Sequence, residues 1–333
     1  MGQEPDLSWM KRFCTETGRV LTFAIAQTML QPTSWRETLA EIDALCARGL
    51  SIAPQVACRP TGLLYGLESS LHPFSLHPTY RTELAPLPLA EPVVRMRESA
   101  MRARMLAETI DAESPILHLL LRNFAQMFPL GNPPQYEPDA AQSVGAIAER
   151  EGRTPEAVAY DLLLAAHGKG FLFAPRANYL DYDFEAIREM MLHPRTVLGL
   201  SDGGAHCGLI SDASMPTFLL THWARDRRRG KTIPIEQAVR LQTHNTARAY
   251  GFVDRGTIEV GMKADVNLID LDAFHLQAPK MVYDLPASGR RLAQRVDGYR
   301  ATVVSGEVTF ENGEPTGALP GRLVRAGSKG SLG

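Results

Sequence analysis

Asp202 and His206 are the side chains of this sequence whose types and spacing are best suited to chemistry. They lie in segment 200–206 (LSDGGAH), at the end of the apolar run 196–200. The run predicts a buried strand, and at its carboxyl end a carboxylate can accept a proton from water or hold a metal ion. Asp-Gly-Gly is also typical of an ordinary turn, in which His206 would only be a hydrogen-bonding residue. Both interpretations stay open on local sequence alone.

Three further polar side chains precede this strand. Asn178 and Tyr179 are predicted either to line a pocket or to cap a loop, and Arg176 offers a guanidinium that could clamp a substrate carboxylate. His72 and His77, each followed by proline, would reach a site only through a long loop. No GxSxG elbow and no GxGxxG fingerprint is present, which disfavours a serine hydrolase of that type and a dinucleotide-binding fold.

The first elements that must position these residues form a βαβ unit. The apolar runs 20–26 and 51–57 read as strands buried on both faces, as in a parallel sheet. Between them a helix is predicted, with Ser34 and Glu37 as a capping box and Gly49 at its end. The fold class is therefore α/β.

The rest of the chain divides into a long insertion, a last buried strand and a β-rich end. Segment 58–92 is rich in proline and is predicted to be a long loop, and helical patterns dominate from there up to residue 168. Later helices are predicted at 215–227 and 235–250. With 171–173 and 196–200, about four strands suit a parallel sheet before Tyr250. The remaining predicted elements are helices at 93–110, 140–151 and 155–167, a helix from Asp183 to Leu192, strands at 257–260 and 265–270, and a hairpin of 301–304 with 308–310.

Composition and charge exclude several classes. The 333 residues are 44% hydrophobic and 22% charged, typical of a globular protein, and 35 basic against 37 acidic residues leave no basic field for nucleic acid. The basic run 225–231 is predicted to be a solvated helix end. Four cysteines without CxxC spacing, a polar start and no long apolar run predict reduced thiols, a cytoplasmic location and neither secretion nor a membrane span.

The carboxyl-terminal half resembles the amidohydrolase superfamily, and more narrowly its N-acyl-D-amino-acid deacylase (D-aminoacylase) branch. The resemblance is carried by GLSDGGAH (199–206), EQAV (236–239), DRG (254–256), GMKAD (261–265) and TGALPGR (316–322), together with Asn178-Tyr179. It implies a metal-dependent hydrolase of linear amide bonds, acting on a small molecule, with zinc or another divalent metal as cofactor. It also implies a TIM-like (β/α)8 barrel and a small β-sandwich domain.

Asp202 matches the family aspartate that follows the eighth barrel strand. The resemblance implies that Asp202 takes the proton of the attacking water and passes it to the leaving amine. We further predict a metal contact for Asp202 and take Asn178, Tyr179, Arg176 and His206 as candidate substrate-binding residues. The HxH pair of the family metal site is absent from this sequence, and Gln27-Thr28 stands where a histidine would be expected after strand 20–26.

The expected architecture is a partial barrel. Residues 1–255 would hold its late strands with an insertion at about 58–190, 256–325 would return to the sandwich, and 326–333 would be a flexible tail. The chain would begin inside the domain, and its open barrel edges would favour homo-oligomers or other association. Two alternatives stay open: a truncated, inactive fragment or binding protein, and a cyclic amide hydrolase of the same superfamily.

Overall fold

The computed structural model describes residues 7–110, 114–201 and 203–325, which form a mixed α/β fold. Asp202 and the predicted tail 326–333 lie outside the described residues. No helix in the described part of the chain is long and apolar enough to cross a membrane.

The α-helices are mostly short. They are α1 (Leu7–Thr17), α2 (Ser34–Ala47), α3 (Ala90–Met96), α4 (Ser99–Ala107), α5 (Pro115–Arg122), α6 (Val144–Glu151), α7 (Pro155–Leu163), α8 (Ala165–Gly168), α9 (Glu185–Met191), α10 (Met215–Phe218), α11 (Ile235–Gln242) and α12 (His244–Ala249). Two π-helices (Tyr80–Leu84 and Leu219–Asp226) and three 3₁₀ turns (Phe124–Gln126, Ala140–Gln142 and Pro286–Ser288) complete the helical elements.

The strands of the described residues pair into five small sheets. They are β1 (Gln55–Val56), β2 (Gly62–Tyr65), β3 (Phe128–Pro129), β4 (Leu172–Pro175), β5 (Val197–Leu198), β6 (Val266–Ile269), β7 (His275–Leu276), β8 (Lys280–Leu285), β9 (Gly289–Ala293), β10 (Val296–Asp297), β11 (Tyr299–Val304), β12 (Glu307–Glu311) and β13 (Glu314–Pro315).

The three apolar runs that predicted buried strands lie side by side and parallel. Leu21 and Ala24 bridge in parallel to Ile52 and Gln55, and β1 pairs in parallel with β5. Helix α2 connects the first two runs and buries Trp35 and other apolar residues against the core. The predicted βαβ unit is confirmed. Its predicted capping box is wrong, because the Ser34 hydroxyl donates to the Gln31 carbonyl and Thr33 precedes the helix without a side-chain cap.

Segment 58–190, which is predicted to be an insertion and is called the insertion below, contains its own antiparallel sheet and apolar core. Strand β4, the predicted strand at 171–173, pairs antiparallel with β2 and β3. Among the described residues the parallel part therefore consists of the strands β1 and β5 and of run 20–26, which joins them only through isolated bridges, rather than of four strands. A second apolar cluster, with Phe74, Met105 and Tyr160 at its centre, lies beneath α3, α4, α6 and α7. This separate core explains why the long proline-rich segment is ordered.

Several predicted helices are interrupted. The predicted helix 93–110 divides into α3 and α4 because Glu98 is extended, and 235–250 divides into α11 and α12 at Thr243, whose φ and ψ of −116° and −81° are not helical. The predicted cap at Thr154 is confirmed, since its hydroxyl accepts from the Ala157 amide at 3.2 Å. Helical periodicity marked these regions, but the side-chain pattern does not reveal single residues that leave helical geometry.

The β-rich end contains a four-stranded antiparallel sheet in the order β13-β12-β11-β6, and the pairs β8-β9 and β7-β10. The predicted hairpin is confirmed: β11 and β12 are joined at Ser305 and Gly306, both with positive φ, as a tight hairpin turn requires. No strand forms over 257–260.

Candidate functional site

The strand β5 opens into a loop that we call the β5 loop, residues 199–212. Gly199 keeps β5 close to its neighbour: its amide donates to the Val56 carbonyl, and a Cβ there would lie 2.3 Å from Gln55 Oε1. Leu200 then has a φ of +64°, which turns the chain away from the sheet. Asp202, the predicted proton shuttle and metal contact, belongs to this loop but lies outside the described residues.

Other elements hold the β5 loop from two sides. The amides of Leu64 and Ser70 donate to the Leu209 and Gly208 carbonyls at 2.8 and 3.0 Å, and the Leu292 amide of β9 donates to the Cys207 carbonyl at 2.6 Å. The loop is therefore anchored both to the insertion and to the hairpin β8-β9. A cavity of about 180 Å³ lies beside its start, lined by Ser201 among others.

A buried arginine ties the far end of the loop to the neighbouring strand. Arg59, two residues beyond the apolar run 51–57, donates from Nη2 to the Ser211 carbonyl and to Asp212 Oδ1, the latter at 3.2 Å. Its guanidinium lies over the Tyr136 ring, 4.0 Å from the centroid. Among the described residues its Nε and Nη1 have no hydrogen-bond partner. Sequence reasoning missed this residue, although its position just after a buried strand was a signal.

Cys58 follows β1 at the same edge of the parallel sheet. Its thiol donates to the Met215 carbonyl at 3.1 Å, and burial raises its pKa to about 12. A thiol in this state stays protonated near neutral pH and is a poor nucleophile. The predicted reduced state of the cysteines agrees with the structure, in which all four are unpaired.

Asn178 is locked against the end of the first parallel run. Its side-chain carbonyl accepts from the Gln27 amide at 2.8 Å, and its own amide donates to the Gln27 carbonyl at 2.9 Å. The Gln27 side chain in turn bonds Asp181 and the Leu180 amide. These bonds are those of a loop cap, while Asn178 Nδ2 is buried with no hydrogen-bond partner among the described residues, and the substrate-binding role of Asn178 stays a prediction. The Gln27 side chain stands where the resemblance expected a histidine, and its amide group is hydrogen-bonded within the same loop, to Asp181 and Leu180.

Tyr179 and Arg176 are also held by protein groups. The Tyr179 hydroxyl donates to the Pro138 carbonyl and accepts from Arg229 at 3.3 Å, and burial raises its pKa. Arg176 donates from Nη2 to Tyr65 Oη at 2.6 Å and to the Leu120 carbonyl at 2.7 Å, within the insertion. The Tyr179 hydroxyl and Arg176 Nη2 thus have protein partners, whereas Arg176 Nε is buried with no hydrogen-bond partner among the described residues. The substrate-binding roles of these two residues stay predictions.

The predicted histidines occupy different environments. His206 is exposed in the β5 loop, with a φ of +45°, and its carbonyl accepts from the Leu209 and Ile210 amides. His72 and His77 are buried in the insertion, where His72 Nδ1 accepts from the Phe74 amide and burial lowers the His72 pKa to about 3. His77 Nδ1 lies 3.1 Å from the Met105 carbonyl.

The basic run 225–231 is not simply solvated, which corrects the prediction for Arg227. The Arg227 side chain is fully buried and binds both carboxylate oxygens of Glu137, at 3.0 and 3.2 Å. His222 Nε2 lies 2.8 Å from the same carboxylate. These partners are separated by 85 to 90 residues, so no local pattern could have revealed them.

The described side chains do not fit a metal ion. In the part of the chain that the structure describes, no three His, Cys, Asp or Glu side chains form a group that could hold one. At the carboxyl ends of the first two parallel runs stand the Gln27 amide and the Cys58 thiol, both already hydrogen-bonded. The expectation of a metal therefore rests on Asp202 and the resemblance.

The sequence matches the model of the amidohydrolase family over residues 1–310. The chain therefore belongs to the amidohydrolase family. A segment is 35% identical over 100 residues to the allantoinase of Rubrobacter xylanophilus, covering 29% of this chain and 21% of that enzyme.

Two solved structures show an overall likeness. One is a D-aminoacylase mutant in complex with copper chloride, 17% identical, with a TM-score of 0.49, matched over 96% of this chain and 52% of that one. The other is the N-acyl-D-glutamate deacylase of Bordetella bronchiseptica with zinc and a phosphonate inhibitor, 19% identical, with a TM-score of 0.43, over 92% and 51%. The chain spans about half the length of these structures.

Proposed function

We propose that this chain carries the β5-loop part of an amidohydrolase active site that cleaves linear amides of the N-acyl-D-amino-acid type. Family membership supports the reaction class. The observation that carries the proposal is the β5 loop itself, which follows a parallel strand and is held by the insertion and by β9. Loops in that position carry the reactive side chains of α/β enzymes.

Asp202 is the proton carrier in this proposal. Its carboxylate accepts a proton from the attacking water as the carbon–oxygen bond forms, and delivers it to the amide nitrogen as the carbon–nitrogen bond breaks. The products are a carboxylic acid and a free amine. Zinc or another divalent metal stays part of the proposal only through Asp202, because the described strand ends do not supply the remaining ligands.

Two other functions have support of their own. The similarity to an allantoinase favours a cyclic amide as the substrate, although it covers 29% of the chain. The Gln27 side chain, which stands where a histidine would be expected and is hydrogen-bonded to Asp181, favours a fragment or binding protein without metal chemistry.

One experiment separates these functions. The purified chain is stripped of metal, offered zinc, analysed for zinc per chain, and assayed with N-acyl-D-amino acids, N-acyl-L-amino acids and allantoin. The deacylase proposal predicts preferential release of D-amino acids; ring opening of allantoin alone would replace it with the cyclic amide function. A folded chain with no zinc and no turnover would favour the binding protein.

Asp202→Asn tests the role of the carboxylate. We expect turnover to fall by at least about a hundredfold, because general acid–base groups contribute roughly 10² to 10⁴. Asp272→Asn, at an exposed position outside the β5 loop, is the matched control and should keep full activity. Wild-type turnover in Asp202→Asn would remove this residue from the reaction.

A further inference from the structure

A cavity of about 690 Å³ lies between the insertion and β8. One wall is formed by the turn 165–170 together with Phe171, and the opposite wall by residues 278–283. This volume lies in the range of about 300 to 1,000 Å³ that is typical of small-molecule sites. None of the functional residues predicted from the sequence lines it.

The lining combines an apolar body with two cations. Leu130, Leu162, Phe171 and Met281 are among its apolar members. Lys169 and Lys280, both exposed, line it from the turn 165–170 and from the start of β8. Neither lysine forms an ion pair with a residue that the structure describes. The acidic residue of the lining, Glu68, accepts a hydrogen bond from the Tyr283 hydroxyl at 2.7 Å. The charge balance of the lining is therefore positive.

The backbone of the first wall adopts an uncommon conformation. Ala166 and His167 have φ values of +48° and +58°, although neither is glycine, and Gly168 continues at +81°. Gly170 leaves no room for a side chain, because a Cβ there would lie 2.2 Å from the Leu162 carbonyl oxygen. Left-handed non-glycine residues are often found at functional sites, where the surrounding structure maintains them.

The cavity and the β5 loop share both of their supports. Glu68 lines the cavity, and Ser70, two residues later, donates its amide to the Gly208 carbonyl of the loop. Met281 and Tyr283 line it from β8, and the paired strand β9 donates from Leu292 to the Cys207 carbonyl. An occupant of the cavity would therefore contact the segment 68–70 and the hairpin β8-β9, and both of these hold the β5 loop.

We propose that this cavity binds a small carboxylate with an apolar body, through apolar packing and the two lysines. The inference rests on the proposed function in one respect: it assigns the cavity to the acylated amino acid or to the acid released from it, both of which carry a carboxylate beside an apolar group. Binding itself requires no catalysis. The inference can therefore be tested apart from hydrolysis.

The test is calorimetric titration of the full chain with hexanoate, hexanol and hexylamine. These probes share an apolar body and differ in charge, so the proposal predicts that hexanoate binds most tightly, with a Kd on the order of 1 mM, and hexylamine most weakly. Equal affinity for the three probes, or no binding of hexanoate, would overturn it.

Charge-removing variants locate the site. Lys169→Met and Lys280→Met keep an apolar stem and should each weaken hexanoate roughly two- to fivefold, with little change for hexanol. Lys263→Met, which lies outside the cavity and bonds Ser305, is the matched control and should bind hexanoate as the wild type does. Unchanged hexanoate affinity in the double lysine variant would place the binding elsewhere.

A blocking variant tests the apolar part. Ala278→Trp should fill the cavity and abolish binding of both hexanoate and hexanol; if it does not fold, the exposed lysine variants decide the question. Hexanoate binding at this site without any hydrolysis would refute the proposed function and retain the inference. If the chain hydrolyses amides but hexanoate neither binds measurably nor inhibits, the inference about the cavity is refuted and the proposed function is retained.

Discussion

Replacing Glu137 with glutamine should destabilise the fold more than replacing any surface carboxylate. Glu137 is 1% exposed and receives hydrogen bonds from two nitrogens of the fully buried Arg227, with His222 Nε2 at 2.8 Å. It also connects the insertion to the π-helix Leu219–Asp226. The substitution keeps the size of the side chain and removes its charge.

The magnitude follows from the burial of Arg227. Breaking one side of a buried ion pair costs about 3 to 5 kcal/mol, since a charge is left in a poorly solvated place. Glu185 also binds Arg227 Nη2 at 3.0 Å, and the glutamine oxygen can still accept one hydrogen bond. We therefore expect a loss of about 3 kcal/mol, at the lower end of that range.

Urea unfolding of Glu137→Gln at pH 7 measures this loss. The matched control is Glu189→Gln, which breaks the ion pair with Arg36 at 2.7 Å, with both side chains about half exposed. Exposed pairs contribute at most about 1 kcal/mol. If the two variants lose the same stability, the buried contacts of Glu137 with Arg227 and His222 have no special role in the fold.

The pH dependence gives a second check. Burial raises the pKa of Glu137, but hydrogen bonds from His222 and Arg227 lower it by more, so that the folded-state pKa lies below the ordinary value of 4.5. The stabilisation from this carboxylate is therefore present above about pH 4.5 and is lost as the pH falls through the folded-state pKa. The difference between wild type and Glu137→Gln should shrink in that window.

Two further predictions concern the parallel strands. Gly199→Ala should lower the free energy of unfolding, measured in urea, by about 1 to 3 kcal/mol, because the new Cβ would meet Gln55. The control Gly321→Ala has open space around it and should be nearly neutral. Equal effects of the two substitutions would mean that Gln55 moves aside freely. Cys58 should resist a thiol reagent at pH 8 in the folded protein, because at a pKa of about 12 only about one thiol in ten thousand is ionised. Cys58 labelling at the rate measured in denaturant would contradict the buried, protonated thiol.

Parts of the fold were predictable because their signals are local. The apolar runs 20–26, 51–57 and 196–200 lie side by side and parallel, and their composition identified them. Burial on both faces was wrong for run 20–26, in which Ala24 is exposed, whereas run 51–57 is largely buried. The hairpin at Ser305-Gly306 was predictable for the same reason, since its turn residues adopt conformations that few other residues accept. The antiparallel direction of β4 was not predictable, because an apolar run does not indicate which strand it pairs with or in which direction.

The site was only partly predictable. Asp202 was identified from the strand that precedes it and from a resemblance, while Arg59 was overlooked although it follows the neighbouring strand. The role of Asn178 depends on Gln27, 151 residues earlier, so the sequence left the choice between pocket and cap open. Arg227 looked solvated within a basic run because its partner Glu137 is 90 residues away.

The sequence by itself determined the α/β class, the three apolar runs that lie parallel, the family and the loop that carries Asp202. These features depend on apolar periodicity, on turn residues and on short motifs, all of which act over a few neighbouring residues. Only the tertiary structure decided which polar groups are already bound, which cation is buried, and where the insertion and β8 enclose a cavity. Those outcomes depend on contacts between segments that are distant in the sequence, and such contacts form only when the chain folds.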